Sequence, residues 1–180
     1  EVEDVMREAR KLHKELEDKI RDAARRIRET IDRVKKEDDD SLRKLRKLHE
    51  DLKRELEKRN VDRTLEEKLR RNLDEVEKAS KESRRHLEEL ERDVERIIEA
   101  LKETLRRNLK KVEDVVKKPV DRDELRKLLE DSKRSIEKVE DDLRKLEEKI
   151  KRVIDDNRRK NKELEEKSRK SIRDLEEEVR

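Results

Sequence analysis

Asp38, Ser83 and His86 supply an acid, a hydroxyl and an imidazole, the parts of a nucleophilic triad in which the base takes the hydroxyl proton and the acid orients the base. That chemistry also needs a pair of free backbone N–H groups to hold an oxyanion, and a cleft to hold a substrate. A chain with no glycine, folded wholly as helices, provides neither. These residues are therefore read as polar packing, and no catalytic residue is expected. The three histidines are His13, His49 and His86, and the positions three residues before them hold Arg10, Arg46 and Ser83. The Glu-x-x-His ligand pattern of di-metal bundles is thus missing. Neither a metal site nor a cofactor is expected.

Composition narrows the partners. Charged residues make up 62% of the 180, yet 57 basic and 54 acidic side chains leave a net charge of only +3, with the signs interleaved along the chain. No basic footprint for nucleic acid results, and with no aromatic residue there is no platform on which single-stranded bases would stack. Consecutive apolar residues never exceed two, as at Ile97 and Ile98, which excludes a spanning helix or the apolar core of a signal peptide. The polar faces carry as much acid as base, so lying on a membrane surface is not expected either. No targeting signal is legible. The expected setting is a soluble chain, cytoplasmic if expressed recombinantly.

The elements that must position these residues are legible from periodicity. Val2, Val5, Ala9, Leu12, Leu16 and Ile20 open an apolar stripe that continues through Asp38 and Ser41 to Leu52 and Leu56, with an average step of about 3.6 residues, the period of an α-helix. A second stripe runs from Leu65 to Val116 and a third from Leu125 to Val179. A period of about 3.6 rather than 3.5 keeps each stripe on one side of an uncurled helix.

Two breaks separate the stripes. "KRNVDRTLEEK" offers Asn60 as a left-handed terminal residue, Val61 as a small apolar plug, and Asp62 or Thr64 as the next N-cap, the latter with Glu67 at capping-box spacing. In "VKKPVDRDELRKL", Pro119 stops one helix and Asp121 with Glu124 starts the next. The predicted fold is all-α: an elongated antiparallel three-helix bundle in one domain, 1–180, with near-straight helices over about 1–59, 62–117 and 121–180, each roughly 85 to 90 Å long at 1.5 Å per residue.

One stretch tests that reading. "RVKKEDDDSLRKL", residues 33–45, puts Asp38, Asp39, Asp40 and Ser41 together. Asp40 or Ser41 as an N-cap would make 41–59 a separate helix. Against this, Lys35 with Asp39, Lys36 with Asp40, Asp39 with Arg43 and Asp40 with Lys44 stand at the i,i+4 spacing that supports a continuous helix. Continuity is the preferred reading, with a loop at 37–41 the alternative.

Short turns at 60–61 and 119 set the register. Residues at equal height should have numbers summing to about 121 for the first two helices and about 239 for the last two. Polar residues that interrupt the stripes then fall at shared heights: His13 with Asn108 and Ser132; Asp38 with Ser83 and Asn157; Ser41 with Ser80 and Asn161; His49 with Asn72 and Ser168. A buried polar group costs free energy unless hydrogen-bonded. Grouping them in layers meets that requirement, so these twelve are predicted to form interhelical hydrogen-bond networks.

With its capped short loops "NVDRT" and "PVDRDE", Glu/Lys/Arg surfaces and Ser, Asn and His layers, the full-length chain resembles de novo designed straight helical bundles with buried hydrogen-bond networks. The resemblance implies a structural scaffold with no natural substrate, whose polar layers fix register and partner choice. Narrow stripes suit a three-helix core with nothing left for a further partner, so a monomer requiring no partner is expected. The alternative is a module for helix-mediated self-association or heteromeric assembly. It includes a pH response, since protonation in the ordinary histidine range, roughly pH 6.5, would add charge and remove an acceptor at His13 and His49.

Overall fold

The computed structural model describes residues 2–59 and 63–179. Among these, three helices form and no strand: α1, Val2–Lys58; α2, Arg63–Val116; α3, Arg122–Val179. All three helix pairs are in contact, so the chain is an all-α three-helix bundle. Strong helix formers occupy the charged faces and Leu, Ile and Val the stripes, so local propensity and pattern agree.

α1 runs unbroken through 37–41. Charged partners flank the segment: Arg84 of α2 donates to Asp39 at 2.9 Å, and Arg43 donates to Asp40 at 2.8 Å from three residues on. Asp38 and Ser41 face inward from this same segment, where both make interhelical hydrogen bonds.

The helix ends follow the sequence in part. Asp121 Oδ1 accepts a hydrogen bond from the Glu124 backbone N–H at 2.8 Å, and Leu125 N–H bonds the Asp121 carbonyl at 3.1 Å, which is how α3 starts. α2 closes with Lys118 N–H on the Val115 carbonyl at 3.2 Å, before Pro119. Because α2 begins at Arg63, Thr64 lies within its first turn and not at the position before the helix. Asn60, Val61 and Asp62 lie outside the described residues.

The chain packs as two compact units, Glu1–Glu29 with Leu90–Lys151, and Thr30–Glu89 with Arg152–Arg180. In the first, Ala9, Leu16, Ile20 and Ala23 of α1 are buried with Ile98, Leu101 and Val112 of α2 and with Val139, Leu146 and Ile150 of α3. Ion pairs flank this core, Lys19 with Glu140 at 3.5 Å and Arg26 with Glu147 at 3.2 Å. They run between helices in parallel register, 121 residues apart, as expected when α1 and α3 point the same way. In the second unit Leu52, Leu56, Leu69, Ile172 and Leu175 form one cluster, packed by Leu48 and Leu65. Exposed ion pairs contribute little each, typically about 0.2 to 1 kcal/mol, so burial carries the fold.

Candidate functional site

Polar side chains enter the core at a few heights, always from stripe positions where a helix turns its inner face to the other two. In the second unit, His49 is 2% exposed, and its Nδ1 lies 2.7 Å from the carbonyl oxygen of Leu45, four residues back. A carbonyl only accepts, so Nδ1 carries the proton and Nε2 is the acceptor. Asn72 Nδ2 donates to that Nε2 at 2.9 Å. The same amide nitrogen donates to Ser168 Oγ at 3.2 Å, with the Ser168 carbonyl at 3.4 Å. One amide thus ties together residues from all three helices.

The first unit repeats the arrangement. His13 Nδ1 donates to the Ala9 carbonyl at 2.6 Å, and Asn108 Nδ2 donates to His13 Nε2 at 2.9 Å. The two layers use equivalent positions, 13 and 49, 72 and 108, 132 and 168, each pair 36 apart in sequence, which is ten turns at about 3.6 residues per turn. They differ at serine. Ser168 is paired, whereas Ser132, just as buried, has no hydrogen-bond partner for its Oγ among the described residues. The structure brings His13 and Asn108 together and places Ser132 in the same core without bonding it to them.

A third layer in the second unit centres on a carboxylate. Ser83 Oγ lies 3.0 Å from Asp38 Oδ2 and 2.7 Å from Asn157 Oδ1, and its single proton serves one acceptor at a time. Asn157 Nδ2 donates to Asp38 Oδ2 at 3.3 Å, and Asn161 Nδ2 donates to Asp38 Oδ1 in a short bond. Burial raises the Asp38 carboxyl above its ordinary value of 3.8; hydrogen bonds from Ser83, Asn157 and Asn161 pull it back, and the nearby Glu37 charge pushes it up again. Desolvation of the charged form is the largest of these effects.

The Ser41, Ser80 and Asn161 layer differs from its predicted form. Ser41 Oγ donates to Glu165 Oε2 at 3.0 Å, and Asn161 turns to Asp38 and, at 3.4 Å, to Ser83 Oγ. Glu165 is held in place by Arg169, one turn on, at 3.1 Å. Among the described residues no hydrogen bond reaches Ser80. Equal height brings two residues level, but an Asn side chain reaches to the turn beside it. Asn161 found the stronger acceptor there, a carboxylate. Sequence reasoning missed Glu165, although it stands one turn beyond Asn161 on the same side of α3, within reach of Ser41.

His86 is exposed, while Ser83 is buried and committed to Asp38 and Asn157. The described structure therefore gives Ser83 no imidazole partner to take its proton. Among the described residues no three His, Cys, Asp or Glu side chains gather as a metal would need, and no helix is long and apolar enough to cross a membrane. Compared with protein families, with curated proteins and with solved structures, the chain matches none.

Proposed function

We propose that the chain is a structural scaffold of designed origin, with no natural substrate, in which buried polar layers fix the register of three helices. The observation that carries this reading is the Asn72 amide, which bonds His49 of α1 and Ser168 of α3 at once. Sliding one helix by a turn would move one of these partners away and leave buried polar groups unpaired, at about 1 to 3 kcal/mol each. An apolar layer carries no such penalty, because one leucine contact replaces another. Network geometry of this kind selects a register without requiring a ligand.

Light scattering coupled to size-exclusion chromatography tests the scaffold reading against assembly. A scaffold with its core satisfied within one chain runs as a monomer of 22.1 kDa. A dimer or larger species at micromolar concentration would instead support the helix-mediated assembly module.

A further inference from the structure

In the second unit a cavity of about 30 Å³ lies beside the Asp38 layer. Ser41, Ser80, Asn161 and Glu165 line it together with Asp38 and Ser83, Leu45 and Val76 are among its apolar residues, and it is partly open to solvent. Its volume exceeds the roughly 10 to 15 Å³ a site needs to admit a water. Ser41, Ser80 and Asn161 are the residues that stand at one height in the sequence register, yet none is bonded directly to another. The Ser41 proton is spent on Glu165, which leaves the Ser41 oxygen its lone pairs. The Asn161 amide nitrogen is spent on Asp38 and Ser83, which leaves its carbonyl oxygen. Ser80 keeps both a proton and lone pairs.

We infer that this cavity is a binding site for a single structural water, which accepts from Ser80 and donates to Ser41 and Asn161. One acceptor and two donor positions match the roughly three hydrogen bonds that a buried water makes. Of the polar residues that line the cavity, Ser80 has no hydrogen bond of its own among the described residues, so its hydroxyl anchors the water. The water joins α1, α2 and α3 at a height where direct side-chain bonds do not, and it completes the layer that the side chains leave open.

A crystal structure of the full chain at about 1.5 Å resolution or better tests this, alongside that of Ser80→Val, which removes the donor and fills the space with methyl groups. The expected result is one ordered water within about 2.7 to 3.2 Å of Ser80 Oγ and of Ser41 Oγ or Asn161 Oδ1, lost in Ser80→Val. Three outcomes would overturn the inference. The cavity is found dry. It is collapsed, with Ser80 bonded directly to protein. Or it is filled by a cation, recognised by oxygen distances of about 2.3 to 2.6 Å and by density that persists in Ser80→Val. The wild-type structure decides by itself if the variant does not crystallise.

Discussion

Asn72 Nδ2 lies 2.9 Å from His49 Nε2, and the other nitrogen of that ring is spent on the Leu45 carbonyl at 2.7 Å. Both ring nitrogens are thus satisfied in a site 2% exposed, and the ring can occupy neither another tautomer nor another rotamer without losing a bond. The proposed register selection draws on this pairing and on its counterpart, Asn108 with His13.

Removing only one member of the layer should cost more than removing all of it. Asn72→Ala leaves His49 Nε2 and Ser168 Oγ unpaired in the core, and we expect a loss of about 1 to 3 kcal/mol in urea unfolding. Replacing the three together (His49→Leu, Asn72→Leu, Ser168→Ala) removes every polar group at once and should be neutral or stabilising. A triple variant less stable than Asn72→Ala would argue that the layer holds the fold together rather than setting its register.

The two equivalent serines should respond with opposite sign. Ser132 Oγ is buried without a partner among the described residues, so Ser132→Ala deletes an unsatisfied hydroxyl and should raise stability by about 1 kcal/mol. Ser168 Oγ accepts from Asn72, so Ser168→Ala should lower it by a similar amount. Paired denaturation curves of the two variants measure the contrast; equal losses would mean that Ser132 is bonded after all.

Asp38 gives a pH dependence whose sign is fixed. Its carboxyl is raised above 3.8, chiefly by burial, so the folded chain holds that proton more tightly than the unfolded one. Stability from this group is fully present below the unfolded value and is lost as pH rises through the folded value. The wild type should therefore gain stability relative to Asp38→Asn, which has no carboxyl to titrate, as pH falls from neutral toward 3.8. A carbon-13 titration of the Asp38 carboxyl should give a midpoint above 3.8. A midpoint below that, with the stability difference shrinking on acidification, would contradict the burial argument.

The two units should differ in local stability. Among the described residues the first buries 18 apolar side chains and the second 11, and the second also buries Ser83 beside the half-buried Asp38. Fewer apolar contacts lower the free energy of local opening. Native-state hydrogen exchange should be slower at amides around Ile20, Ile98 and Leu146 than around Leu45, Val76 and Leu164. Uniform protection would mean that the helices open only as wholes.

The sequence disclosed the helices because stripe period, capping signals and charge pairs all pointed the same way; Asp121 with Glu124 is the clearest case. Heights followed from the turns, so His49, Asn72 and Ser168 could be matched from numbers alone. What the numbers could not give was reach around the helix and competition between acceptors. Asn161 was level with Ser41 but turned to Asp38, and Ser41 took Glu165, a long side chain from the next turn. Height puts Ser132 level with His13 and Asn108, yet its Oγ has no hydrogen-bond partner among the described residues. Arg84, which donates to Asp39 from α2, was likewise out of sight, since an i,i+4 scan sees only one helix.

That the polar layers select one register is tested most directly by amide proton–nitrogen correlation spectra of the wild type and of a variant with the His13, Asp38 and His49 layers all converted to Leu and Ala. One signal per backbone amide is predicted for the wild type. The variant should melt at the same or a higher temperature yet show several signals for residues of α3, as slipped registers become populated. A variant with a single set of signals, at shifts unchanged outside the substituted layers, would contradict register selection by the layers.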